Sequence, residues 1–92
     1  MQTLAHVISD AWSPVAQVTT FAAIQVKSRG VIDIHVGASA PAIDAPAFEL
    51  SLSGEDGLPA LIVLTDLVAN TDVVYAKMKR TGTNGNLTTI QE

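Results

Sequence analysis

The chain has 92 residues, of which 48% are hydrophobic and only 15% are charged, and its formal net charge is −4. This length supports one domain with a single core, because two cores would need more chain. The acidic balance argues against nucleic acid or an anionic membrane as a partner, since both require a positively charged surface.

The cysteine content and the first residues indicate where the protein is made. The sequence contains no cysteine, whereas small secreted domains usually rely on disulfides. Residues 1–16 lack a basic region followed by a long apolar stretch, so we expect no signal peptide. The longest apolar run, Leu61–Leu64, is far too short for a membrane span. We therefore expect a soluble protein made in the cytosol.

The N-terminal segment, residues 1–14, fits two conformations. Leu4, Ile8 and Trp12 follow the spacing of an apolar helical stripe. The adjacent Val7 and Ile8 fit an extended segment equally well, and Pro14 would end either one. Because the rest of the chain has a β pattern, we favour an extended arm that precedes one domain at 15–92. The apolar side chains of this arm are candidates for an interface with another subunit: Leu4, Val7, Ile8 and Trp12.

Three runs in the middle of the sequence alternate between apolar and polar residues. Successive side chains of a strand point to opposite faces, so each run predicts a half-buried strand of one sheet. The residues expected to face the core are Ile24, Val26, Ile32, Ile34, Val36, Phe48, Leu50 and Leu52. Residues 28–30 join the first two runs and predict a tight hairpin, in which Gly30 takes a positive φ. Residues 37–46 predict a loop.

Further strands are predicted at residues 15–21, 61–65, 73–80 and 87–91. Asn84-Gly85 is a strong hairpin signal, so the last two strands are expected to pair across it. Pro59 favours an edge position for the strand that follows it. Turn signals recur about every ten residues and no β-α-β alternation is present. We therefore predict an all-β fold, a small antiparallel sandwich or barrel, with a jelly roll among its possible forms.

Several polar groups could carry chemistry, but each has a simpler explanation. Asp33 and His35 share one face of a strand, yet a metal site needs three or four ligands and no further ligand lies near them in sequence. His6 and Asp10 would share a face only in a helix. Ser53-Gly54 lacks the surroundings of a nucleophile elbow. Acidic residues that could offer oxygen ligands to calcium lack the carboxylate pattern of a calcium loop: Asp44, Glu55 and Asp56.

Lys77, Lys79 and Arg80 form the basic cluster of the sequence. Alternation places Lys77 and Lys79 on the solvent face of a strand, where lysines discourage edge-to-edge aggregation. A nucleic-acid surface would need interleaved aromatic residues, and only Tyr75 is close. Residues 86–88 match a glycosylation acceptor, but without a signal peptide we interpret them as part of a hairpin turn. We expect no catalytic, cofactor or metal site, and predict that the protein is not an enzyme.

The order of features along the chain resembles that of a known group of proteins. Trp12, Pro14 and Val15 precede a strand that contains Gln25 and Val26. The segment IHVGASAP at 34–41 ends in small residues and Pro, and a Gly-containing turn and a late strand VYAK at 74–77 follow. This order resembles short tailed-bacteriophage virion proteins of the decoration, cementing and head- or tail-fibre-base type. The resemblance covers residues 12–91, and residues 58–72 depart from it as a longer insertion.

The resemblance implies a non-enzymatic virion protein, made in the host cytoplasm, that docks on the capsid or tail. It also implies a trimer, because three-fold sites on capsids and fibres recruit trimers. Composition independently favours a homo-oligomer, since one thin core cannot absorb this many apolar residues and large exposed apolar patches are rare on monomers. The alternative is a small binding module that recognises a glycan or peptide through its loops. Its signature would be an exposed aromatic cluster drawn from Trp12, Phe21, Phe48 and Tyr75. A small enzyme or inhibitor is a third class.

Overall fold

The computed structural model describes residues 2–43, 45–52 and 57–91, which contain eight β-strands. No helix in these ranges is long and apolar enough to cross a membrane. The strands are β1 Gln2–Ile8, β2 Ser13–Ala16, β3 Ala22–Val26, β4 Val31–Gly37, β5 Phe48–Ser51, β6 Leu61–Leu64, β7 Val73–Met78 and β8 Gly85–Gln91.

The strands form two antiparallel sheets of four strands each. Sheet A has the order β1-β8-β3-β6, and sheet B has the order β2-β7-β4-β5. The first strand pairs with the last, β2 with β7, β3 with β6, and β4 with β5. The chain is thus one long hairpin, closed at the β4–β5 connection and wrapped so that its other connections cross between the sheets. This is the strand arrangement of an eight-stranded jelly roll. The predicted all-β sandwich is confirmed.

The core lies between the inner faces of the two sheets. The alternation of apolar and polar residues predicted its centre correctly, because Ile24, Val26, Ile32, Ile34 and Leu50 are all fully buried. Val36 is half-buried and packs against this cluster.

Two of the residues predicted to face the core are exposed. Phe48 is 61% exposed and Leu52 is 46% exposed, so their predicted burial is wrong. Phe48 begins β5, which is the outermost strand of sheet B, and Leu52 follows the end of that strand. Both side chains therefore lie at the margin of the core. The single sheet predicted for the three central runs is also wrong, because β3 belongs to sheet A, whereas β4 and β5 belong to sheet B.

The two connections predicted to be hairpins instead link strands of different sheets. Gly30 has the expected positive φ of 108°, but the turn that contains it links β3 in sheet A to β4 in sheet B. The segment before Gly85 links β7 in sheet B to β8 in sheet A. Crossing is favoured because it places the apolar faces of successive strands against each other. Gly85 serves close packing here: a Cβ at this position would lie 2.5 Å from Met78 Sδ and 2.9 Å from Ser28 Oγ.

Residues 2–8 are extended, as favoured from the sequence, but they form an integral strand of the sandwich. Strand β1 pairs with β8 in unbroken register from Gln2 opposite Gln91 to Ile8 opposite Gly85. Ile8 is 2% exposed and belongs to the core. The segment expected to be a separate arm is therefore the first strand of the domain.

The strand predicted at 15–21 is shorter and begins earlier than expected. Strand β2 spans Ser13–Ala16, and Val18 beyond it has a φ of 54°. This left-handed conformation ends the extended run. Pro14 is tolerated within β2 because this strand lies at the edge of sheet B.

Candidate interaction surfaces

The four strands of sheet A contain no charged residue. The nine acidic and five basic residues of the chain all lie elsewhere in the sequence. The register aligns Thr3, Ile90, Ala23 and Val63 in one cross-strand row, and Ala5, Thr88, Gln25 and Leu61 in the next. Together with Val7 and Asn86, these two rows form a surface that we name outer face A.

Outer face A exposes large apolar side chains among uncharged polar ones. Val7 is 80% exposed, and Leu61 and Val63 are each 52% exposed. Covering such a surface removes no ion from water, so the desolvation cost is low. The centres of protein interfaces are likewise depleted of charged residues. Outer face A therefore has the chemistry of a surface that another protein surface can cover.

The structure places the four interface candidates predicted from the sequence in different parts of the fold. Val7 lies on outer face A, and Leu4 lies on the inner side of β1 with 37% of its surface exposed. Ile8 is in the core, and this burial makes it unavailable to another subunit. Trp12 precedes β2 and lies on the outer side of sheet B.

Leu61 and Val63 were not predicted to lie at the surface. The feature of the sequence that indicates their exposure is their position in the continuous apolar run Leu61–Leu64. A strand in a two-layer fold turns alternate side chains outward, so such a run must expose some of them.

A buried ion pair marks the outer side of sheet B. Asp33 on β4 lies directly opposite Lys77 on β7, and Lys77 Nζ donates a hydrogen bond of 2.9 Å to Asp33 Oδ2. Both residues are less than 10% exposed. Lys77 Nζ also lies 5.2 Å from the centroid of the Trp12 ring, which allows a cation–π interaction. The expected exposure of Lys77 is therefore wrong, because Trp12 covers it. Lys79, which pairs with Glu49, is exposed.

Trp12 and His35 bond to the backbone between β4 and β5, at Ala42 and at Pro46. Trp12 Nε1 donates a hydrogen bond of 2.9 Å to the carbonyl oxygen of Ala42. His35 Nδ1 lies 2.9 Å from the carbonyl oxygen of Pro46, to which its N–H tautomer donates. The two rings contact each other with centroids 5.8 Å apart. Asp33 and His35 thus have different partners, and in the described residues no three or more of His, Cys, Asp and Glu are grouped so that they could hold a metal ion.

A cleft opens where β4 and β5 diverge beside this backbone. Its volume is about 340 Å³, and its lining is mostly apolar: Ile34, His35, Val36, Pro46, Ala47 and Phe48. This volume lies at the lower end of the range for small-molecule sites. The exposed ring of Phe48 forms part of its rim, so the cleft could receive one apolar or aromatic group.

His6 lies on the inner side of β1, where burial changes its titration. Its Nε2 is 3.2 Å from Thr89 Oγ1. Burial lowers the pKa of His6 below its ordinary value of 6.5, and a hydrogen bond with the backbone of Val15 partly opposes this shift. The possible pairing of His6 with Asp10 on a helix does not occur, because Asp10 Oδ2 instead accepts a hydrogen bond from the Gly82 N–H at 2.8 Å.

Residues 86–88, interpreted as part of a hairpin turn, lie within β8, so that interpretation is wrong. The possible calcium ligands Asp44, Glu55 and Asp56 lie outside the described residues. The same holds for Ser53-Gly54.

The two outer faces therefore differ in chemistry. Outer face A is uncharged and has exposed apolar side chains, whereas the outer side of sheet B carries a buried ion pair and the hydrogen bonds of Trp12 and His35 to the backbone. Comparisons with protein families, with curated proteins and with solved structures found no match for this chain.

Proposed function

We propose that the chain is a structural component of a bacteriophage virion, a small oligomeric jelly roll that docks on the capsid or tail. This proposal rests on the strand order of the two sheets, in which β1-β8-β3-β6 packs on β2-β7-β4-β5. Viral capsid domains are among the principal users of the eight-stranded jelly roll. The order of features from Trp12 to the C-terminal strand, which resembles decoration and fibre-base proteins, supports the same role.

Outer face A supports the assembly part of the proposal. A virion component must bury surface against its neighbours, and an uncharged face with exposed Val7, Leu61 and Val63 has a low desolvation cost. The trimer implied by the resemblance stays a prediction. Interface candidates that remain accessible are Leu4, Val7 and the partly exposed Trp12.

The role in the virion is tested by finding the protein in particles. Phage particles from a lysed culture that carries the gene are purified through a density gradient, and their proteins are quantified by mass spectrometry. We expect this chain to be present in fixed proportion to the major capsid protein and depleted from the soluble fraction. A chain found only in the soluble fraction would contradict the proposal. The location of the gene among virion genes is a second readout.

The cleft beside Phe48 favours one alternative, a module that binds a glycan or peptide through its loops. The cleft and the exposed aromatic ring provide a place for an apolar sugar face or an aromatic side chain. Screening against glycan and peptide arrays tests this alternative. Binding that Phe48→Ala abolishes and Leu52→Ala retains would support it, since Leu52 is also exposed but does not line the cleft.

A further inference from the structure

The four edge strands of the sandwich differ in how they are protected from pairing with another chain. Strand β2 contains Pro14 and an irregular register, and β5 has four residues and carries the charged Glu49. Strand β6 also has four residues and follows Pro59 closely. Short strands, prolines, irregularities and charges are the usual means by which edges are kept from pairing.

Strand β1 has none of these protections. It has seven residues, QTLAHVI, with no proline and no charged side chain. Its register with β8 is unbroken. On its other edge, no backbone hydrogen bond to β1 is found in the described part of the chain. Alternate residues of β1 therefore present backbone N–H and C=O groups along this edge, in the geometry that another β-strand can bond to.

We propose that β1 pairs with β1 of a second copy of this chain, antiparallel and about a two-fold axis at Ala5. The two A sheets would then form one continuous sheet of eight strands. This inference rests on the self-association assumed in the proposed function, and it replaces the trimer that the resemblance implies with a two-fold dimer. A pair of identical antiparallel strands is the simplest two-fold contact, because each donor finds the same acceptor on its partner.

The register centred on Ala5 matches the side chains of β1. It places Ala5 opposite Ala5 of the partner subunit, and Val7 opposite Thr3 of the partner subunit, on outer face A. Val7 and Thr3 are β-branched residues, which pack well across strands, and Ala5 is small. Val7, which is 80% exposed in the single chain, would gain a neighbour. On the inner side, the partly exposed Leu4 would meet His6 of the partner subunit.

The distribution of charge favours a second copy of this chain as the partner that pairs with β1. Two copies of a chain with a net charge of −4 repel each other in general. Sheet A is the part of the fold whose strands hold no charge, so copies that approach through β1 place no like charges opposite each other. An uncharged strand also offers no ion pair to an unlike partner.

The test measures the mass of the full chain in solution by light scattering and native mass spectrometry across a concentration series. We expect twice the chain mass of 9.6 kDa at tens of micromolar. Ala5→Lys and Ala5→Glu each place two like charges at the two-fold axis. Each variant should weaken the dimer by about tenfold or more, since tenfold corresponds to about 1.4 kcal/mol and two like charges a few Å apart near a protein surface repel by more than that. An equimolar mixture should restore a one-to-one heterodimer.

Val63→Lys is the matched control. It adds the same charge to outer face A at 52% exposure, but on β6 at the opposite edge. We expect it to remain dimeric. Hydrogen exchange of the wild-type chain gives a readout that needs no variant: amides of residues 2–8 should become more protected as concentration rises.

Several outcomes would overturn the pairing of β1. These are a wild-type monomer at 200 μM, an Ala5→Lys variant that dimerises like the wild type, or a dimer lost in Val63→Lys. A trimer would also overturn it, because three copies cannot share one two-fold contact. None of these outcomes removes the chain from virions, and its absence from particles would leave a measured dimer intact. The two proposals therefore fail separately.

Discussion

At the scale of single residues, the sequence and the structure differ most at Lys77. Alternation correctly placed Lys77 and Asp33 on the outer side of sheet B, but it could not show that Trp12 covers them. The covering is a tertiary contact, formed by a residue 65 positions away in the chain. Burial of two charges is sustained here because they bond to each other at 2.9 Å.

Removing one partner of the buried ion pair should destabilise the fold. Lys77→Met leaves the Asp33 carboxylate buried without its partner, so we expect the free energy of unfolding to fall by about 3 kcal/mol. Lys79→Met is the control. Its side chain is 57% exposed and pairs with Glu49 at the surface, so it should cost less than about 1 kcal/mol. Urea denaturation measures both, and equal losses would contradict the importance given to the buried pair.

Burial of His6 should make the stability of the protein depend on pH. Burial lowers the folded-state pKa of His6 below 6.5, its ordinary value in the unfolded chain. At pH values well above 6.5 the ring is neutral in both states, so there is no penalty. As the pH falls through 6.5, the unfolded chain takes up the proton more readily, and stability decreases until the folded-state pKa is passed.

We therefore expect the free energy of unfolding to decrease between pH 7.5 and pH 5.5. His6→Gln should lose less over the same interval, because it cannot bind the proton. Urea denaturation at several pH values measures the difference. If the two proteins lose stability in parallel, burial of His6 does not govern this pH dependence.

At the scale of the strands, β5 shows how one strand can hold both a core residue and a surface residue on the same side. Leu50 lies opposite the buried Ile32, and Phe48 lies opposite the buried Ile34. Leu50 is fully buried, whereas Phe48 is 61% exposed. We expect Leu50→Ala to cost about 2–5 kcal/mol in urea denaturation, because it leaves a cavity in the core. Phe48→Ala should change stability by less than about 1 kcal/mol. Comparable costs for the two would mean that Phe48 is buried in solution.

The strands themselves were largely predictable, but their partners were not. A period of two indicates which side chains share a face, and it identified buried residues such as Ile24 and Ile32. It contains no information about which sheet a strand joins. The turn at Gly30 and the segment before Gly85 have hairpin signals, yet both cross between sheets. That choice depends on covering the apolar face of each strand, which involves the whole chain.

The candidate surface was predictable only in part. Val7 was identified as an interface candidate, and it does lie on outer face A. Leu61 and Val63 belong to the same face through β3 and β8, and no local pattern reveals that neighbourhood. The charge-free character of sheet A likewise becomes visible only when strands distant in sequence are placed side by side.

At the scale of the whole molecule, the jelly roll closes through contacts between the two ends of the chain. Strand β1 pairs along its full length with β8, and Gln2 lies opposite Gln91. Such distant pairings must be formed against the entropy of a long loop, so all-β folds of this kind fold slowly, in about milliseconds to seconds. We expect refolding in that range by stopped-flow fluorescence of Trp12, the single tryptophan.

The same closure predicts what happens when the N-terminal strand is removed. Deleting residues 1–8 takes away the backbone partner of β8 along one side and removes Ile8, which is 2% exposed, from the core. The loss of one large core side chain alone costs about 2–5 kcal/mol, and domains have only about 5–15 kcal/mol of stability. We therefore expect the truncated chain to lose its cooperative thermal transition, measured by circular dichroism, rather than to become a folded monomer. Deleting residues 1–3 is the control, because Gln2 and Thr3 are exposed at the outer end of β1, and this deletion should preserve the transition. A truncation at residue 8 that still melted cooperatively near the wild-type temperature would show that residues 2–8 act as a detachable arm after all.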